Sequence, residues 1–182
     1  MKINETPLDG FLIIEPDCYK DERGFFMETY QDHRYKEAGI NDHFVQDNQS
    51  RSNKAVLRGM HFQVKHPQAQ IVTLIRGCIF DVGVDIRPNS TTFGQWYGVR
   101  LSDDEKQRQV YMAPGFAHGF CVLSDYADLH YKVSSFYDSG DEGGFIWNDT
   151  FVGINWPIEK PIMSLRDQNY PGLIELLDSF KK

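Results

Sequence analysis

Cysteine is scarce in this chain: Cys18, Cys78 and Cys121 form an odd set with no CxxC pair. That speaks against a disulfide framework or a thiolate zinc site and suits a reducing cytoplasm. No apolar run approaches the roughly 20 residues of a membrane span, so no membrane association is expected. The opening stretch, Met1 to Gly10, has no apolar segment of the kind that marks a signal peptide. Positive charge is also in deficit, with 19 Lys and Arg against 26 Asp and Glu, a net charge of −7 and a pI near 5.3. The basic residues are scattered, which argues against a nucleic-acid partner but leaves room for a local anion site. A Rossmann glycine fingerprint is missing, so no nicotinamide cofactor is expected. Linkers, repeats and low-complexity segments are missing too, and residues 1–182 read as a single domain.

What the chain has in quantity is aromatic residues, 13 Phe, 9 Tyr and 3 Trp, and period-two alternation. From Cys78 to Arg87 one face reads Cys78, Phe80, Val82, Val84, Ile86 and the other Ile79, Asp81, Gly83, Asp85, Arg87, a strand with one apolar and one polar side. Ile71 to Ile75 reads as its neighbour, with Arg76-Gly77 as the turn. Further strands are expected near Leu12–Glu15, Phe25–Tyr30, Trp96–Leu101, Gln109–Met112, Gly119–Leu123 and Leu129–Ser135. Turn signals at Pro88-Asn89-Ser90, Pro114-Gly115 and Ser139-Gly140-Asp141 separate them. Helix is expected only at Asp32–Ala38, stopped by Gly39, and at Ile174–Phe180. Many short strands mean a sandwich or barrel. The class is all-β with a few short helices, and the cupin-like motif that ends at His118 makes a jelly-roll barrel the expected form.

Three histidines sit in distinctive contexts: His61 beside Arg58 and Gln63, His66 in the loop Lys65-His66-Pro67, and His118 in Pro114-Gly115-Phe116-Ala117-His118. A histidine titrates near neutrality and can serve as a general base. Pro-Gly-x-x-His looks like the second half of the cupin metal signature. The first half needs His-x-His and a glutamate, and here His61 is followed by Phe62 and Gln63, so a cupin-like barrel without a metal is expected. Arg23 and Arg58 lie near aromatics and suit a diphosphate, which guanidinium groups grip in a bidentate fork; ordinary surface ion pairs fit equally well. By parity Tyr131 groups with Leu129 and Val133 and should point into the barrel. Asp167 reads as a loop aspartate able to orient a histidine.

Several stretches together resemble the deoxythymidine-diphosphate 4-dehydrorhamnose 3,5-epimerase family. They are the Asp21–Phe26 segment, Phe44–Asn48, Val56–Gln63, Phe80–Arg87, Pro114–Phe120, Trp147–Asp149, Gly153–Pro157 and Ser164–Asp167, in order and over nearly the whole chain. The resemblance implies a cytoplasmic, homodimeric isomerase of dTDP-rhamnose and cell-surface polysaccharide synthesis, needing no cofactor. It also implies a nucleotide-linked 4-keto-6-deoxyhexose as substrate. It makes His61 the general base, Asp167 the carboxylate that orients it and Tyr131 the proton donor on the other face of the sugar. It assigns Arg23, Glu28, Gln46, Asn48, Arg58, His118, Glu142 and Arg166 to holding the nucleotide sugar. Gln70 departs from the pattern, standing where the family carries a lysine near the C4 oxygen. Such a site needs a base, an acid and donors around the enolate oxygen; Arg58, Gln70 or His118 can be those donors. The alternatives are an epimerase acting at C3 or C5 only, on another sugar such as a CDP or GDP derivative, a barrel that binds nucleotide sugars without turning them over, and a metal-dependent cupin oxygenase or isomerase. The homodimer also draws on the Phe11–Glu15 strand, expected to precede the barrel and to be free to pair with a partner.

Overall fold

The computed structural model describes residues 1–106 and 108–179, with the side chains of 178 and 179 left aside. Thirteen strands and three short helices follow in the order β1 (Lys2–Glu5), β2 (Phe11–Glu15), β3 (Cys18–Asp21), β4 (Gly24–Met27), α1 (Asp32–Glu37), β5 (Gln46–Asn53), β6 (Leu57–Gln63), β7 (Gln70–Arg76), β8 (Cys78–Asp85), β9 (Trp96–Ser102), β10 (Gln109–Met112), β11 (Phe116–Val122), β12 (Tyr126–Val133), β13 (Glu142–Gly144), α2 (Leu165–Gln168) and α3 (Leu173–Ser179). Two antiparallel sheets face each other, one ordered β1-β2-β10-β7-β12-β5 and the other β13-β6-β11-β8-β9. This is the expected jelly-roll barrel.

The core lies in three layers. Between the sheets, Phe11, Ile13, Val72, Leu74 and Leu129 of one sheet meet Ile79, Leu101, Phe120 and Val122 of the other, all buried. Outside the five-stranded sheet, Met60, Val82 and Val84 are covered by Phe145, Val152 and Leu173 from the C-terminal segment. Outside the six-stranded sheet, Ile14, Ile71 and Tyr111 pack with Tyr35 of α1 and Ile40. Each fully buried side chain of this kind contributes roughly 1.5–3 kcal/mol of transfer free energy. Coverage of both outer faces explains why Ile71 and Val72, neighbours pointing opposite ways, are both apolar.

Several expectations need correction. The second face of the 78–87 strand is not solvated. Asp81 and Asp85 are fully buried, because that face looks into the barrel, where a Cβ on Gly83 would lie 2.4 Å from the Phe11 ring. Asp85 is satisfied by Arg87, Ser90 and Thr92. Burial alone would raise its carboxyl, but these hydrogen bonds outweigh burial and hold it well below the usual carboxylate range. The Arg76-Gly77 turn exists, with Gly77 at φ 93°, yet it does not join hairpin partners. β7 pairs with β10 and β12, and β8 with β11 and β9, so the turn carries the chain from one sheet to the other. A Cβ there would sit 2.2 Å from the Tyr126 carbonyl, which reserves the position for glycine.

β2 is not a free strand ahead of the barrel; it lies inside the six-stranded sheet between β1 and β10. The expected Phe25–Tyr30 strand ends at Met27 and belongs to a separate two-stranded hairpin, β3–β4, while Tyr30 turns back to pack on Tyr35 and Phe44. The 119–123 and 129–135 strands begin earlier than the pattern suggests, as β11 and β12. Helix α1 ends at Glu37, one residue short of the expectation. The C-terminal helix starts at Leu173, and Phe180, its expected end, lies outside the described residues.

Candidate active site

A cavity of about 280 Å³ opens at one end of the space between the sheets, lined by Ser50, Arg58, His61, Gln70, His118, Tyr131, Glu142 and Arg166 among others. The placement of Arg58 and His61 depends on an irregularity in β6. The register against β11 pairs His61 with His118 and Arg58 with Phe120, so β6 carries one residue more than β11 between these pairs. Such a bulge re-aims the side chains on either side of it. Gly59 permits it, because a Cβ there would stand 2.6 Å from the Gly119 Cα. Residues three apart thereby reach the same cavity.

His61 Nε2 lies 2.8 Å from Asp167 Oδ1. Asp167 sits on α2 rather than in a loop, N-capped by Ser164, and its side chain is 4% exposed. Burial opposes its ionisation, but the hydrogen bond and charge of His61, the Ser164 hydroxyl and Arg166 outweigh burial, and the carboxyl is lowered. An ionised Asp167 accepts the Nε2 hydrogen and so fixes the ring, leaving Nδ1 for the cavity. Tyr170 meets the same imidazole edge-on, centroids 5.9 Å apart. Glu142 of β13 lies 3.9 Å from His61 Nδ1. It is forked by Arg166 at 2.8 and 2.9 Å and accepts from the Tyr137 hydroxyl at 2.6 Å.

Tyr131 comes from the opposite sheet. It faces inward on β12, as its parity implies, packed against the core beside Leu129. Burial raises its phenol, Arg58 lowers it and Glu142 raises it, with the net effect upward, so the hydroxyl keeps its proton at neutral pH. Arg58 donates through Nε to Ser52 Oγ at 3.0 Å. Gln46 and Asn48 face the barrel interior of β5, cross-strand from Val133 and Tyr131. Gln46 donates to Asn48 and accepts from the backbone of Tyr137, a residue of the cavity lining, but neither Gln46 nor Asn48 lines the cavity itself. Arg23 and Glu28 are elsewhere. Arg23 lies at the tip of the β3–β4 hairpin with its side chain 85% exposed and paired to Asp21, and Glu28 pairs with Arg34. His66 is exposed; its backbone N–H donates to Asp141. Among the described residues no cluster of three or more His, Cys, Asp or Glu side chains is arranged to hold a metal ion.

Two parts of the site escaped the sequence reading. Asp81, 2.8 Å from His118, was read only as part of a strand's polar face. Tyr137 belongs to none of the motifs.

The family model of dTDP-4-dehydrorhamnose 3,5-epimerase matches residues 5–175. The chain belongs to the dTDP-4-dehydrorhamnose 3,5-epimerase family. Within it, the chain is 49% identical over 174 residues to the 3,5-epimerase of Methanothermobacter thermautotrophicus, covering 94% of each chain. It is 41% identical over 181 residues to a dTDP-4-dehydrorhamnose 3-epimerase of Streptomyces niveus, covering 98% of this chain and 87% of the other. The crystal structure of the Legionella pneumophila epimerase in complex with dTDP-4-keto-L-rhamnose superposes with a TM-score of 0.93 at 46% identity, covering 98% and 95% of the two chains. Family membership makes the chain an isomerase of the carbohydrate-epimerase type.

Proposed function

We propose that this chain inverts C3, C5 or both of a dTDP-linked 4-keto-6-deoxyhexose through an enolate, with no cofactor. The observation that carries the reading is the pairing of His61, oriented by Asp167, with Tyr131 across one cavity from opposite sheets. The C4 ketone acidifies the hydrogens on its neighbours. His61 removes one as a proton, the electrons run onto the C4 oxygen, and Tyr131 returns a proton from the far side, so the carbon inverts. In this reading Arg58 and Arg166, which line the same cavity as Glu142, hold the diphosphate. Incubation with dTDP-4-keto-6-deoxyglucose in deuterated water, read by NMR, should place deuterium at C3, C5 or both. No deuterium at either carbon would overturn the reading.

An epimerase acting at one carbon remains the second reading. It is favoured by Gln70, a neutral amide on the cavity wall, and by likeness to a relative named a 3-epimerase. Deuterium at a single carbon would select it.

The cytoplasm and a homodimer complete the proposal. Support for the dimer comes from the β3–β4 hairpin, which exposes Tyr19, Phe25 and Phe26 and joins neither large sheet. A second copy covering those rings would also bring Arg23 and Glu28 within reach of its cavity. Sedimentation showing a monomer at micromolar concentration would refute this.

A further inference from the structure

The cavity holds a second histidine–carboxylate pair that differs from the first in its surroundings. His118 directs Nε2 at Asp81 Oδ2, 2.8 Å away. Asp81 is fully buried, and its other oxygen, Oδ1, is buried with no hydrogen-bond partner. The His118 ring is 13% exposed and lines the cavity directly across the β6–β11 register from His61. Its Nδ1 has no hydrogen-bond partner among the described residues.

A carboxylate buried with one bare oxygen is costly, and a full positive charge on the other oxygen is what offsets that cost. With Asp81 ionised, Nε2 must carry a hydrogen. Nδ1 is then either a bare acceptor or a second donor. An acceptor would repel an oxygen that is gathering negative charge; a charged donor would stabilise it. Of the cavity's other cations, Arg58 and Arg166 serve the diphosphate in the proposed reaction, and Gln70 carries no charge. Both histidines face a buried carboxylate, but Asp167 also has Ser164 and Arg166 beside it, whereas among the described residues His118 is the one side chain that hydrogen-bonds the Asp81 carboxylate.

We propose that Asp81 holds His118 doubly protonated and that this imidazolium, through Nδ1–H, stabilises the enolate oxygen, supplying the positive charge that Gln70 cannot. The proposal rests on the reading of the chain as an epimerase acting beside a ketone. As His61 takes the proton from carbon, the C–H electron pair becomes the new C=C bond and the carbonyl π pair moves onto oxygen. The Nδ1 proton stays on nitrogen and hydrogen-bonds the oxyanion; reprotonation at carbon reverses the flow. His118 is then a catalytic residue and Asp81 its positioning residue.

Two measurements test it. In protein labelled with 15N-histidine, both His118 nitrogens should resonate as protonated in the native chain, and the ring should turn neutral in Asp81→Asn, with His118→Gln identifying the signals. A neutral His118 in the native chain would overturn the proposal, and this arm needs no substrate. In deuterium exchange on dTDP-4-keto-6-deoxyglucose, Asp81→Asn should lower kcat by about a hundredfold, with KM moving less than about threefold. Adding Gln70→Lys should accelerate the Asp81→Asn protein by a factor at least about tenfold greater than it accelerates the native one. Equal factors in the two backgrounds would mean that Asp81 has only a structural part. Should Asp81→Asn not fold, His118→Gln with and without Gln70→Lys makes the same comparison. A native protein with normal His118 signals and no exchange would sink the epimerase reading and leave the protonation result standing.

Discussion

Between the two sheets, the end near Phe11, Leu74 and Val122 is filled with apolar side chains, while the end near His61 and Tyr131 holds the cavity. The same strands build both. β12 passes from Ala127 and Leu129 in the core to Tyr131 in the cavity, β11 runs back from Val122 and Phe120 to His118, and β7 runs from Leu74 to Gln70. A step of two residues along a strand is enough to change its role. The filled end supplies rigidity, and the open end spends none of its polar groups on filling space.

That division can be broken from either side. The largest effect is expected from His61→Asn, which should lower deuterium exchange by about 10²–10⁴-fold while leaving the melting temperature near that of the native protein. Phe11→Ala should do the reverse. It should cost about 3–5 kcal/mol of stability by denaturant unfolding, with exchange per folded molecule little altered.

Asp85→Asn asks whether a polar group beyond the cavity serves stability alone. Its partner Arg87 is only partly buried, so the loss should be roughly 2–4 kcal/mol near neutral pH. The Asp85 carboxyl is depressed in the folded state. Its contribution is therefore present above the unfolded carboxylate pKa of about 4 and is lost as the pH falls toward the folded value. The gap between native and variant should shrink on acidification, and a gap independent of pH would contradict the assignment. Smallest is Arg58→Ala, which should weaken dTDP binding by roughly 1.5–3 kcal/mol in calorimetry with no change in unfolding midpoint.

The strands that alternate were legible in the sequence, as with Gln109–Met112, whose bounds hold. β5 was not, because Gln46 to Asn53 is polar throughout and gives alternation nothing to act on. Its inward face is defined by hydrogen-bonding side chains, which tertiary structure alone reveals. His61, Asp167 and Tyr131 were visible as motif residues, and their convergence needed the fold. Asp81 was hidden by the rule that found its strand, since a polar residue on the alternate face reads as solvated until a second sheet covers it. Arg23 and Glu28 mark the opposite failure, motif residues that one chain does not bring to its own cavity.

The turn at Gly77 that sends the chain from one sheet to the other has a kinetic consequence. β7 and β8 are adjacent in sequence but share no ladder, and β5 must wait for β12, where Tyr126 meets Asn53 and Val133 meets Gln46. Closing such long loops before any ladder rewards them makes folding slow, and a growing chain holds β5 unpaired for much of its synthesis. An apolar strand in that position would seek other chains. The amides and hydroxyls of β5 keep the waiting strand in water, so the segment that later lends Ser50 to the cavity wall is also the one suited to being finished last.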